Sequence, residues 1–174
     1  MTAEMALSRR AAVLTVSDRV AAGKADDASG PALAERLEAA GWVVVERAVV
    51  PDEVEAISAA LARLADAGVP LVLTTGGTGI APRDVTPDAT RRVVDREVPG
   101  IAEALRAASL AETPHAMLSR ATAGVRGATL VVNLPGSPRA IAGTFAALAP
   151  VLDHALRLAE GAPVAPAEHR AHDR

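Results

Sequence analysis

The chain has 174 residues, half of them apolar and 1% aromatic, with a formal net charge of −3 and no cysteine. That length suits one domain with a core of Ala, Val, Leu and Ile, and the methyl-rich composition leans towards alternating strands and helices. The charge and the lack of a Lys/Arg block exclude a nucleic-acid footprint, and the missing cysteine excludes disulfides, thiolate nucleophiles and Cys-type zinc sites.

The first ten residues, MTAEMALSRR, lack the apolar stretch of a signal peptide and read as a flexible N-terminal segment. No later run approaches about 20 uninterrupted apolar residues, so no membrane span is expected and the default location is the cytoplasm. Ala11 to Thr15 reads as a buried first strand feeding the polar cluster Ser17, Asp18 and Arg19. Ser29 is placed to cap a helix from about Pro31 to Ala40, which Gly41 stops.

Trp42 to Val50, rich in Val but interrupted by Glu46 and Arg47, suits a strand near the sheet edge. Pro51-Asp52-Glu53 turns into a helix with Val54, Ile57, Leu61 and Leu64 at helical spacing, ending near Gly68. Leu71 to Thr75 is a third strand that breaks into Gly76-Gly77-Thr78-Gly79. Thr86-Pro87-Asp88 reads as a cap, a proline at the first helical position and a first-turn acid, opening a helix to about Asp95. A further helix is expected from Gly100 to Ser109, a strand from Thr129 to Leu134, and a long Ala/Leu helix from Ile141 to Leu158. Residues 161–174 have no periodicity and read as a flexible tail, leaving 11–160 as a single domain.

This order predicts a three-layer αβα sandwich with a mostly parallel central sheet. In such sheets ligands bind beyond the carboxyl ends of the strands, so the loops 17–27, 76–84 and 133–137 should share one rim.

Glycines 76, 77 and 79 let backbone N–H groups approach a phosphate, with Thr75 and Thr78 as further donors; a tight turn is the plain alternative. The spacing matches neither the dinucleotide fingerprint nor the P-loop. Asp84 follows that loop and Asp52 ends another strand. Two carboxylates near phosphates suggest Mg²⁺, although Asp52 could simply cap its helix and Arg83 could pair with Asp84 at the surface. Asn133-Leu134-Pro135-Gly136-Ser137 offers a second anion seat at a helix start, or a rigid proline turn. Ser17, Asp18 and Arg19 are a polar loop tip or a third wall of the pocket. His115 and His154 have no partners at metal-ligand spacing.

The segment TTGGTGIAPRDVTPDAT at Thr74 to Thr90 resembles the signature of the MogA/MoaB molybdenum-cofactor biosynthesis family, which includes the G domains of gephyrin and its plant counterpart. The resemblance extends to Ser17-Asp18-Arg19, to Pro51-Asp52-Glu53, to Pro99-Gly100, to AMLSRATAGVRGATLVVNLPGSP at Ala116 to Pro138, and to HALRL at His154 to Leu158. It departs from some relatives at Ala121, where a serine is usual.

The resemblance implies a trimeric molybdopterin adenylyltransferase: Mg²⁺-dependent transfer of AMP from ATP to the molybdopterin phosphate. Asp52 and Asp84 match the family's functional aspartates and become the expected catalytic and Mg²⁺ residues. The loop Thr75, Gly76, Gly77, Thr78 and Gly79 falls on the nucleotide. Asn133, Pro135, Gly136 and Ser137, with Ser17, Asp18 and Arg19, fall on the pterin side. A non-catalytic pterin-binding paralogue and a nucleotide pyrophosphatase are the alternatives.

Overall fold

The computed structural model describes residues 9–161. The expectations of a flexible N-terminal segment and a flexible tail fall almost wholly outside these residues.

Six strands form one mixed sheet: β1 (Arg10–Val16), β2 (Val43–Val50), β3 (Leu71–Thr75), β4 (Arg96–Glu97), β5 (Ala123–Arg126) and β6 (Thr129–Leu134), in the spatial order β2-β1-β3-β6-β5-β4. The first four of that order are mutually parallel, while β5 runs antiparallel to both of its neighbours, β6 and the edge strand β4. Helices α1 (Asp18–Ala21), α2 (Ser29–Ala39), α3 (Val54–Asp66), α4 (Thr86–Val93), α5 (Pro99–Leu110) and α6 (Pro138–Ala159) connect or flank the strands, with a 3₁₀ segment at Pro114–Leu118.

Alternation within the central strands assigns the two layers. Ala11, Val13, Leu71, Leu73 and Val132 pack with Leu33 and Leu37 of α2, Leu105 of α5, and Ile141, Phe145 and Leu148 of α6. The intervening Ala12, Leu14, Val72 and Val131 pack with Ile57, Leu61 and Leu64 of α3 and with Ala89 and Val93 of α4. Because both faces are covered, these strands read as continuous apolar runs. β2 differs because it is an edge: its burial alternates, and Val43, Val45 and Val49 remain exposed. Among the described residues, α6 is the one helix long and apolar enough to cross a membrane, but Ile141, Phe145, Leu148, Leu152 and Leu156 on it pack into the core.

Three local expectations need correction. The cap of α2 is supplied by Asp27, not Ser29: Asp27 Oδ1 accepts from Gly30 N at 2.9 Å and from Ser29 Oγ at 3.3 Å. Thr86 does not cap α4 either, since Val85 holds the cap position and the Thr86 hydroxyl donates to the Gly76 carbonyl at 2.9 Å. The strand expected from Thr129 to Leu134 is β6, but its hairpin partner β5 and the short β4 fall in stretches where no element was expected. β5 is only Ala-Gly-Val-Arg, and its Gly124 is required because a Cβ there would stand 2.7 Å from the Arg96 carbonyl oxygen of β4.

Candidate functional site

The parallel strands β1, β3 and β6 are adjacent and in register, so the loops after them leave the sheet side by side. Their approach is close enough to demand glycine. A Cβ on Gly76, whose φ is +99°, would stand 2.3 Å from the Val16 carbonyl oxygen, and one on Gly136 would stand 3.2 Å from Gly76 Cα. The three loops predicted to share a rim do share it, and the β2 loop carrying Asp52 joins them.

The two aspartates bracket the glycine loop. A Cβ on Gly77 would lie 3.0 Å from Asp52 Oδ1, and one on Gly79 would lie 2.7 Å from Asp84 Oδ2. Gly77 and Gly79 are two residues apart, so their Cα atoms lie within roughly 7 Å of each other and the two carboxylates approach neighbouring positions of one loop. The Asp84 charge also reaches Asp52, where it contributes to raising the carboxyl pKa.

Each acid is held by backbone. Asp52 Oδ2 accepts from Asp18 N at 2.8 Å and Asp52 N donates to Asp18 Oδ1 at 3.0 Å, so the ends of β1 and β2 are cross-braced. This displaces the capping role that the sequence left open for Asp52: Glu53 holds the cap position of α3 and makes no side-chain cap bond. Asp84 Oδ2 accepts from Ala81 N at 2.8 Å, closing the turn that precedes it.

Partial burial is the largest cause of a raised Asp52 carboxyl pKa, with the Asp18 and Asp84 charges adding to it against the Asp18 N–H and the Arg83 charge. Asp18 shifts the other way, chiefly through its hydrogen bond with Arg83. Arg83 therefore pairs with Asp18 across the rim, not with its neighbour Asp84.

Other predicted site residues divide into those that face the opening and those spent on its framework. The Thr75 hydroxyl is buried and donates to the Pro135 carbonyl at 2.8 Å, pinning the loop after β6 to the end of β3. Asn133 is 1% exposed. Its amide donates to Thr74 Oγ1 at 3.1 Å and Thr90 Oγ1 at 2.9 Å, while its Oδ1 accepts from Thr122 N at 3.2 Å. Ser17 Oγ accepts from Val20 N at 3.3 Å, capping α1. Gly136, Ser137 and Arg19 are exposed on the rim.

A cleft of about 250 Å³ opens beside Thr78 and Gly79, walled by Leu105, Arg106, Leu118 and Pro135. A larger cavity, about 630 Å³, lies at the opposite end of the strands among Asp66, Asp95 and Arg126. There Arg126 pairs with Asp66 at 3.1 Å and Asp95 accepts from Gly127 N at 2.7 Å, and neither Asp52, Asp84 nor the glycines at 76, 77 and 79 line it.

Two supporting residues were not singled out from the sequence. Arg120 donates to the Asp84 carbonyl at 3.2 Å and pairs with Asp88, while its own N–H reaches the Thr78 carbonyl at 2.8 Å. Asp27 accepts from the Thr15 hydroxyl at 2.8 Å beneath the first loop. The arginine carried no sequence signal beyond its charge, whereas Asp27 three residues before Gly30 has the spacing of a helix cap.

No group of three or more His, Cys, Asp or Glu side chains that could cage a metal occurs among the described residues. Two carboxylates beside a phosphate seat do match the way Mg²⁺ is commonly held, by one or two acids with substrate phosphates and water completing its shell.

Loops diverging from the carboxyl ends of a parallel sheet, lined with glycine and flanked by two carboxylates, define an α/β domain with a candidate ligand site at the position usual for such sheets. The family described as a probable molybdopterin binding domain matches residues 12–154, and the chain belongs to that molybdenum-cofactor biosynthesis family. It is 47% identical over 136 residues to the molybdopterin adenylyltransferase of Haemophilus influenzae, covering 76% of this chain and 69% of that protein. It is 40% identical over 173 residues to gephyrin of Dictyostelium discoideum, covering 92% of this chain but only 24% of gephyrin's length. The crystal structure of the molybdopterin biosynthesis enzyme MoaB from Thermus thermophilus superposes with a TM-score of 0.83 at 49% identity, covering 88% of this chain and 98% of that one.

Proposed function

We propose that this protein is a molybdopterin adenylyltransferase, which transfers AMP from Mg-ATP to the terminal phosphate of molybdopterin and releases pyrophosphate. The observation that carries the reading is the pair Asp52 and Asp84 on either side of the Gly76–Gly79 loop. The H. influenzae relative bearing that name supports it.

In this reading an oxygen of the pterin phosphate attacks the α-phosphorus of ATP in line. The bond from that phosphorus to the α,β-bridging oxygen breaks, and its electron pair leaves with pyrophosphate. The nucleophile is already anionic, so no general base is needed. Positioning and charge neutralisation supply the rate enhancement.

The N–H groups of Gly77, Thr78 and Gly79 line the nucleotide phosphates, while the Gly76 N–H, expected to join them, donates to the Leu134 carbonyl at 3.3 Å and holds the start of the loop to β6. Thr75 acts indirectly, by holding the Pro135 carbonyl. Asp52 and Asp84 would hold Mg²⁺, which when bound offsets charge on the transferred phosphoryl group. The cleft beside Thr78 and Pro135, with Gly136 and Ser137 at its rim, takes the pterin side, and Asn133 keeps the underlying strand ends in place. Arg19 remains a rim contact for an anionic substrate.

We further propose a cytoplasmic homotrimer, on the strength of the family resemblance; light scattering should return three times the chain mass. The decisive experiment incubates the protein with molybdopterin, Mg²⁺ and ATP labelled in the α-phosphate. Adenylylated pterin with equimolar pyrophosphate supports the proposal. Pterin binding without transfer would indicate a binding paralogue, and AMP release without pterin would indicate a nucleotide pyrophosphatase.

A further inference from the structure

The loop that delivers Asp84 has almost no apolar anchorage. Ile80 is 65% exposed, and Ala81, Pro82 and Arg83 are exposed as well. Val85, directly after Asp84, is only partly buried against the core, so residues 80–83 in front of the acid depend on polar contacts to fix their course. On one side the restraint is Arg120, through the Asp84 carbonyl. On the other it is Arg83, whose Nε donates to Asp18 Oδ2 at 2.9 Å and whose Nη2 donates to Asp18 Oδ1 at 2.7 Å.

Asp18 is in turn locked to Asp52 by the reciprocal pair of backbone hydrogen bonds. A continuous chain of polar contacts thus runs from Asp52 through Asp18 to Arg83, and by one peptide bond to Asp84. We infer that Arg83 is a positioning residue: by clasping Asp18 across the rim, it sets the separation of the two carboxylates on either side of the glycine loop. This rests on the adenylyl-transfer reading and reassigns Asp18, which becomes the far half of a clasp instead of a contact for the pterin.

The pair is poorly suited to a purely structural role. Its side chains are 59% and 41% exposed, and ion pairs so open to water contribute little to folding. Its geometry is more demanding than its energy. The planar guanidinium meets both carboxylate oxygens, which fixes direction as well as distance, and a lysine ammonium cannot reproduce that fork.

The experiment compares Arg83→Ala, Arg83→Lys and Asp18→Asn with wild type in four measurements: kcat, pterin affinity by fluorescence quenching, melting temperature, and Mn²⁺ affinity by EPR with the nucleotide present. Arg83→Ala is expected to lower kcat by about 10- to 100-fold, since small misplacements of reacting groups cost that much. Mn²⁺ binding should weaken several-fold, while pterin affinity stays within about twofold and the melting temperature within about 2 °C. Arg83→Lys should recover part of kcat, and Asp18→Asn should resemble Arg83→Ala.

Wild-type kcat in Arg83→Ala would overturn the inference. So would a loss confined to pterin affinity, which would make the pair a substrate contact, or a large fall in melting temperature shared by all three variants, which would make it a strut. If the wild-type protein forms no adenylylated pterin, the proposed reaction fails, and the Mn²⁺ titrations alone then decide the clasp: unchanged affinity in Arg83→Ala and Asp18→Asn rejects it.

Discussion

Asp18 and Asp52 hold each other reciprocally, each backbone N–H donating to the other's carboxylate at 2.8 and 3.0 Å. Asp52 is partly buried, so its carboxyl pKa is raised above the ordinary 3.8, first by desolvation and then by the neighbouring Asp18 and Asp84 charges, against the lowering effect of the Asp18 N–H and the Arg83 charge. For an acid so raised, the native state favours the protonated form. Its stabilising contribution is fully present below about pH 3.8 and is lost as pH rises through the folded-state value. Asp52→Asn keeps an acceptor for the Asp18 N–H and removes the charge. The variant should therefore melt above wild type at pH 7, with the difference shrinking towards zero near pH 3, as calorimetry across that range would reveal. Its kcat should fall about 100-fold or more, a trade of activity for stability.

Asp84 makes a different prediction because its carboxylate is anchored only to its own turn, through Ala81 N. Asp84→Asn retains an oxygen for that bond, so the fold should be unaffected. Turnover should fall by about 100-fold or more while pterin affinity persists, because the lost charge acts on the transferred phosphoryl group and not on the pterin ring. Single-turnover transfer of labelled AMP provides the measurement, and an undiminished rate would remove Asp84 from the mechanism.

These two acids were legible in the sequence because Asp52 ends one strand and Asp84 follows the glycine loop after another, ends that a parallel sheet sends to one side, and the family resemblance then singled them out from a helix cap and a surface ion pair. Apolar pattern made α3 and β3 legible, through the 54-57-61-64 spacing and through an uninterrupted apolar run. It failed for β4 and β5, where Gly124 and a two-residue strand leave no periodicity to detect. It also failed to separate rim from interior at Thr75 and Asn133. Both lie near the end of an expected strand and, being polar, read as ligand contacts, yet their side chains are buried within the sheet. The clasp between Arg83 and Asp18 joins positions 65 residues apart and leaves no local trace.

Asn133 supplies the third prediction. Its side chain satisfies Thr74, Thr90 and the Thr122 N–H within the interior, and no buried side-chain polar atom is left without a partner among the described residues. Asn133→Ala strands that N–H and the Thr74 hydroxyl, while Thr90 keeps its bond to the Thr86 carbonyl, so it should destabilise the fold by about 2 to 4 kcal/mol in denaturant titrations. At a temperature well below its melting point, pterin affinity should change by less than about threefold. A selective loss of pterin affinity at unchanged stability would instead make Asn133 a direct ligand.

Gly77 and Gly79 separate the conformational from the spatial demand for glycine in one loop. At Gly77 φ is +61°, and a Cβ would meet Thr86 Oγ1 at 2.4 Å as well as Asp52 Oδ1 at 3.0 Å. Gly77→Ala therefore strains the backbone and displaces the hydroxyl that holds the Gly76 carbonyl. It should cost about 2 kcal/mol or more of stability along with activity. Gly79 lies outside the positive-φ region, and its Cβ would meet only the Asp84 carboxylate, at 2.7 Å. Gly79→Ala should leave the melting temperature within a few degrees of wild type yet lower kcat about 10-fold or more, because the carboxylate must swing away from the position it needs for transfer. Parallel melting curves and single-turnover rates for the two variants test the contrast. If Gly79→Ala loses no activity, the space between that glycine and Asp84 is not where the reacting phosphate sits.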